Sequence, residues 1–193
     1  NERQAVQTLI EKRVDGLIVV PASDVEHDHL RPSRLGSTPL VLIDRKLEAV
    51  DFPSVTTGDY QGAIEAVEFA HQKGHRNMAF IVSVPGVVEA TFDRPHIPIS
   101  TVVDRTNGFA AAIKQLKIKS QMLFCGDSQS KAEDAVSELL QRPDRPSILF
   151  TSNNDMLLAV LKVAGLLKIA IGKDLSVVSF DDSPWAAAMA PAI

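Results

Sequence analysis

Residues 14–21 read VDGLIVVP and contain the pattern that decides the fold class. The turn pair Asp15-Gly16 precedes four apolar residues, Leu17–Val20, and a proline follows them. Residues 39–45, PLVLIDR, repeat the arrangement, with a proline before the apolar run and Asp44 after it. Short apolar runs bounded by turn residues are typical of strands that are buried on both faces of a parallel sheet.

Similar runs alternate with helical patterns along the rest of the chain. Strands are predicted at Met78–Val82, Met122–Cys125, Ile148–Phe150 and Leu175–Phe180. Helices are predicted around Ala5–Ile10, from an N-cap at Asp59 to Gly74, and at Asn107–Leu116, Ala132–Leu140 and Met156–Leu166. This alternation predicts an α/β fold built from βαβ units with parallel sheets.

Two segments do not follow the alternation. Residues 24–38 form a polar loop with room for one short helix. Residues 84–104 contain three prolines and at most one short strand, which is long for a connection in a compact domain. Connections of that length are usually functional or mobile loops.

The composition limits the classes of function. The chain has 193 residues, 20 Lys and Arg against 24 Asp and Glu, and a formal net charge of −4, so by itself it is a poor binder of nucleic acid. We find no apolar run long enough to cross a bilayer and no signal-peptide pattern at the start. The single cysteine, Cys125, suits a reducing compartment and is expected to be buried and structural.

Motifs for catalysis, cofactors and metals are not found in the sequence. It has no G-x-G-x-x-G, no phosphate-binding P-loop and no G-x-S-x-G motif, and no basic partner is identifiable for Cys125. His71 and His75 are separated by a helix-ending glycine, and His27 and His29 lie in a polar loop, so neither pair is expected to bind metal. We therefore expect neither an enzyme nor a cofactor.

Isolated polar residues follow several predicted strands. Asp44, Asp127, Asn154 and Asp181 each lie at or just after the carboxyl end of a strand, where parallel α/β sheets bind ligands. Arg105, which is predicted to open a helix, adds a planar group with five donors. Such a set suits a polyhydroxylated or carboxylate-bearing small molecule, although each residue alone could equally cap a strand end.

The motifs, taken in order, resemble those of the lactose-repressor/galactose-repressor family of bacterial transcription regulators. The resemblance covers almost the whole chain. It is carried by Val14–Ile18 with Pro21, Pro39–Arg45, Gly62-Ala63, Gly74–Arg76, Arg105–Phe109, Asn154–Met156 and Ser176–Asp182. The sequence departs from the family pattern at Gly58-Asp59, at Leu157, and between Ile81 and Arg105, where it is about ten residues longer than usual connection lengths suggest.

The resemblance implies a type I periplasmic-binding-protein-like fold with two doubly wound parallel-sheet lobes and a ligand cleft between them. Residues 1–56 would form part of the N-terminal lobe and residues 57–193 the C-terminal lobe. The ligand-binding residues would be Asp44, Arg105, Asn154 and Asp181, with Asp127, Ser128 and Thr57 nearby.

The resemblance also implies the function of an effector-sensing repressor core that binds a sugar or sugar derivative. We expect the protein to be a cytoplasmic homodimer and this chain to be truncated at both ends. A helix-turn-helix domain outside this chain would contact operator DNA. Two alternative functions stay open. A sugar-binding receptor for transport or chemotaxis would share the fold. An enzyme would need a paired nucleophile or base, and none is evident in the sequence.

Overall fold

The computed structural model describes residues 1–23, 27–47, 50–126, 128–191 and 193, which divide into two compact units. Unit 1 comprises residues 1–58 and 98–103, and unit 2 comprises residues 59–97 and 104–193. The predicted lobe ranges, 1–56 and 57–193, stay a prediction.

Unit 1 is built on a three-stranded parallel sheet with the strand order β1-β2-β3. Its elements are helix α1 (Glu2–Glu11), strand β1 (Leu17–Val19), a 3-10 turn (Asp28–Leu30), helix α2 (Pro32–Leu35), strand β2 (Leu40–Ile43) and strand β3 (Ser54–Val55). Alternate residues of β1 and β2 pack inward, with Leu17 opposite Leu40 and Val19 opposite Leu42. They meet Val6 of α1 in the core of this unit.

Unit 2 contains a four-stranded parallel sheet with the order β5-β4-β6-β7. Its strands are β4 (Asn77–Ser83), β5 (Lys119–Cys125), β6 (Ile148–Thr151) and β7 (Ser176–Ser179). Its helices are α3 (Asp59–Gln72), α4 (Ser100–Leu116, which begins among residues assigned to unit 1), α5 (Gln129–Gln141), α6 (Asn154–Leu166) and α7 (Pro184–Ala187). Because all strands run in one direction, their carboxyl ends lie at the same edge of the sheet.

The core of unit 2 explains why the central strands are continuously apolar. Five residues of β4, Met78–Val82, are completely buried, so both faces of this strand are covered. One face carries Phe80, whose ring centroid lies 5.2 Å from that of Phe109 on α4. The opposite core contains Ile81 together with apolar residues of α5 and α6. The predicted α/β class with parallel sheets is confirmed.

Helix α4 is longer than the sequence predicted. It begins at Ser100 rather than near Asn107, so Arg105 lies in its second turn and does not open it. Thr101 and Val102 are both buried in this first turn. Their burial stabilises this turn despite the weak helix propensity of β-branched residues. That weak propensity is the reason why the sequence pattern favoured a loop here.

Candidate functional site

The candidate site is centred on Arg105, at the edge of unit 2 where β6 and β7 end. The Arg105 Nε atom donates to Asp59 Oδ1 over 2.6 Å, and Nη1 donates to the backbone oxygen of Ser152 over 2.6 Å. Nη2 donates more weakly to Asp181 Oδ1, at 3.5 Å. Helix α4, the start of α3 and two strand ends therefore hold one guanidinium group.

An aromatic ring fixes the plane of this guanidinium. The Cζ atom of Arg105 lies 4.5 Å from the ring centroid of Phe180, within the range of a cation–π interaction. The backbone N–H of Phe180 donates to the oxygen of Thr151 over 3.0 Å, which continues the pairing of β6 with β7 beyond the strand end. The position of the ring therefore follows from the sheet register.

The three charged groups of the site differ in burial. The side chain of Asp59 is 3% exposed and that of Arg105 is 12% exposed, whereas that of Asp181 is 44% exposed. Asp181 has a φ of 68°, a left-handed conformation that turns the chain directly after β7. The Arg105–Asp59 pair is thus a buried part of unit 2, and Asp181 presents its carboxylate to solvent.

Arg105 keeps hydrogen-bonding capacity for a ligand. A guanidinium has five N–H donors, and three of them reach Asp59, Ser152 and Asp181. Across the described ranges, the other two donors have no protein partner. Phe180 and Asp181, together with Ser179 and Asp182, line a cavity of about 370 Å3, and Arg105 itself is not among the lining residues.

The end of β6 adds two asparagines. Asn153 caps α6, because its side-chain oxygen accepts from the backbone N–H of Met156 over 3.0 Å. Asn154 is the first residue of the helix, and its Oδ1 atom is buried without a partner among the described residues. A buried amide oxygen without a donor is costly unless a ligand or a water molecule satisfies it.

The remaining predicted ligand residues are placed as follows. Asp44 follows β2 in unit 1 with a φ of 66°, and its carboxylate lies 3.5 Å from Arg45 Nε. Thr57 is exposed in the same unit. Ser128 precedes α5 in unit 2, with its Oγ 3.1 Å from that of Ser130. Asp127 lies outside the described residues. The structure therefore brings Arg105 and Asp181 into contact and places Asn154 at the neighbouring strand end.

Sequence reasoning missed two members of this cluster. Asp59 was predicted only as a helix cap, but it begins α3 and its buried carboxylate pairs with Arg105. Phe180 was predicted only as the last residue of a strand, and it supports the guanidinium. No local pattern links Asp59 to a residue 46 positions later, so only the fold could identify this pair.

The structure bears on the other candidates for chemistry as well. Cys125 is 1% exposed, and burial raises the pKa of its thiol to about 11, so it is a buried structural cysteine as predicted. Among the residues that the structure describes, no three His, Cys, Asp or Glu side chains are grouped as a metal site would require. None of the described helices is both long and apolar enough to span a membrane.

Comparison with known proteins identifies the family. A family model described as a periplasmic binding protein-like domain matches residues 67–193, about two thirds of the chain. The chain belongs to the periplasmic binding protein-like domain family. Its homologues are transcriptional repressors of the LacI family, so the predicted resemblance to the lactose-repressor/galactose-repressor regulators is confirmed.

Three relatives illustrate this family membership. The probable HTH-type transcriptional repressor ExuR of Bacillus subtilis (strain 168) is 27% identical over 173 residues, covering 88% of this chain and 48% of the relative. A crystal structure of a Burkholderia thailandensis protein assigned as a ribose operon repressor is 30% identical, with a TM-score of 0.80, and the match covers 100% of this chain and 67% of that one. A sugar-binding transcriptional regulator of the LacI family from Escherichia coli, crystallised with phosphate, is 27% identical with a TM-score of 0.75, covering 100% of this chain and 66% of that one.

The chain spans about half the length of the curated relatives that it matches. These relatives are regulators rather than enzymes.

Proposed function

We propose that this chain is the effector-binding core of a bacterial transcriptional repressor, and that its effector is a sugar or sugar derivative. The observation that carries the proposal is the guanidinium of Arg105, which is fixed on Phe180 and keeps two donors beside Asp181. Repressors among the relatives favour a regulator over a transport receptor or an enzyme.

The chemistry of the cluster suits a molecule with several hydroxyl groups. The exposed Asp181 carboxylate accepts hydrogen bonds from hydroxyls, while the remaining donors of Arg105 bind hydroxyl or carboxylate oxygens. The unpaired Oδ1 of Asn154 offers one more acceptor at the next strand end. Asp44, Thr57, Asp127 and Ser128 belong to the proposed ligand-binding set.

The proposed mechanism is a shift between two conformations of the repressor. An effector that binds one conformation more tightly raises its population, and operator affinity changes by the same coupling free energy. The proposal includes a cytoplasmic homodimer. It also places the contact with operator DNA outside these 193 residues, because a net charge of −4 makes this chain a poor binder of the DNA backbone.

The test is a thermal-shift screen of pentoses, hexoses and their acid and phosphate derivatives, followed by calorimetry on the best ligand. We expect Asp181→Asn and Arg105→Gln to weaken binding by about 5- to 100-fold, because each removes a charged hydrogen bond. Asp134→Asn, which changes an exposed carboxylate on α5, serves as the control and should leave affinity unchanged. Unchanged affinity in Asp181→Asn, the variant that spares the buried pair, would remove this cluster from the effector site.

A further inference from the structure

Unit 1 contains a second cavity that the proposed effector site does not use. It has a volume of about 400 Å3, within the range of small-molecule sites. Arg3, Val6, Gln7 and Ile10 form one of its walls, because helical spacing places them on a single face of α1. Another wall comes from His29 and Arg34, so the cavity is a groove between α1 and the segment that contains the 3-10 turn and α2.

The groove carries positive charge that the protein leaves unpaired. The guanidinium groups of Arg3 and Arg34 have no hydrogen-bond or ion-pair partner in the described part of the chain. The cavity is also lined by one carboxylate, that of Glu11, whose Oε1 atom accepts from Gln7 Nε2 over 3.0 Å, so cationic groups outnumber it by two to one. Two free guanidinium groups beside one cavity favour an anion, because they bind carboxylate and phosphate oxygens in fixed geometry.

His29 is a buried wall residue with unmet hydrogen-bonding capacity. Its side chain is 9% exposed, and its Nε2 atom lies 2.5 Å from Glu2 Oε1. The second oxygen of Glu2 accepts from the backbone N–H of Ala22 over 2.6 Å, so this carboxylate is held in place. The Nδ1 atom of His29 is buried and has no partner among the described residues. This nitrogen would accept a hydrogen bond in neutral His29 and would donate one in charged His29.

We propose that this groove binds a small hydroxylated anion. The carboxylate or phosphate of this anion contacts Arg3 and Arg34, and its hydroxyl group lies against the wall that includes His29. The apolar side chains of Val6 and Ile10 pack against its carbon atoms. The proposal concerns unit 1 only and does not depend on the Arg105 cluster of unit 2.

The experiment is a residue-resolved NMR titration of the 193-residue chain. Glycerate and glycerol 3-phosphate are the two probes, which distinguish a carboxylate from a phosphate ligand, and neutral glycerol is the matched control. We expect saturable shifts at α1, His29 and Arg34 with at least one charged probe, and none with glycerol. Arg3→Gln and Arg34→Gln should each raise Kd by about fivefold, since each removes one charged hydrogen-bonding group.

A variant outside the groove separates a site from general attraction to positive charge. Lys12→Gln removes an exposed cation directly after α1, at a position that does not line the cavity, and should leave Kd unchanged. Three results would overturn the proposal: no saturable shifts with either charged probe, equal weakening by Lys12→Gln, or shifts confined to residues 152–182. The arginine variants change exposed side chains, so they should retain the fold.

Discussion

The Nε atom of Arg105 donates to Oδ1 of Asp59 over 2.6 Å, and both side chains lie in the interior of unit 2. The same guanidinium reaches Asp181 at 3.5 Å, where the acid is much more exposed. Arg105 therefore has two acidic partners. The buried Asp59 stabilises the fold, whereas the carboxylate of Asp181 is exposed to solvent.

We predict a large difference in stability between variants of these two acids. Asp59→Ala should lower the free energy of unfolding by about 3–5 kcal/mol, because it leaves a buried guanidinium without its main counter-charge. Asp181→Ala should cost less than about 1 kcal/mol, because an exposed pair is screened by water. Urea unfolding followed by circular dichroism and by the fluorescence of Trp185, the one tryptophan of the chain, measures both. Equal costs would contradict the assignment of the buried pair.

Gly108 allows α4 to lie close to α3. A Cβ atom at this position would lie only 2.2 Å from the backbone oxygen of Tyr60 and 2.9 Å from the Cβ of Ala63, so Gly108→Ala must push the two helices apart. We expect a loss of about 1–3 kcal/mol or more in the free energy of unfolding, as for other overpacked cores. Gly165→Ala in α6 is the matched control. It meets no atom within 4 Å and should stabilise the chain by up to about 1 kcal/mol.

Phe109 lies at the centre of an aromatic cluster in unit 2. It is 1% exposed, and its ring centroid lies 5.2 Å from that of Phe80 and 5.3 Å from that of Phe150. Phe109→Ala should destabilise unit 2 by about 3–5 kcal/mol, because it removes buried apolar surface and leaves a cavity. Phe69→Ala, at a position that is 56% exposed, should cost less than about 1 kcal/mol. A Tm close to that of the unchanged protein for Phe109→Ala would contradict the assigned core.

Local patterns predicted the strands because burial in a parallel sheet leaves a local signature. The run Leu40–Ile43 forms β2 with the predicted bounds, and β4 is one residue longer at each end than Met78–Val82. The two-residue strand β3 was missed because Ser54 and Val55 are both exposed and form no apolar run. Burial, rather than strand propensity, therefore made strands visible in the sequence.

The candidate site was only partly visible for a related reason. Asp181 and Asn154 were found because a strand end can be located from the apolar run before it. Asp59 could not be assigned to Arg105, because their contact depends on how α3 and α4 pack. Contacts of this kind are set by tertiary packing and leave no spacing in the sequence that identifies them.

The thiol of Cys125 gives a test of burial that depends on pH. Burial raises its pKa from 9.0 to about 11, so the unfolded chain loses this proton at a lower pH than the folded chain does. The contribution to stability is complete below pH 9 and is lost as the pH rises from 9 to 11. It amounts to about 2–3 kcal/mol, by the usual conversion of a pKa difference.

We therefore expect the free energy of unfolding to fall more steeply between pH 9 and 11 in the unchanged chain than in Cys125→Ala. The alanine variant is the control for every other group of the chain, because it removes only this thiol. Urea unfolding at several pH values measures the difference. Parallel pH profiles, or rapid maleimide labelling of the folded chain at neutral pH, would mean that the thiol is not buried at the end of β5, since the reactive species is the thiolate.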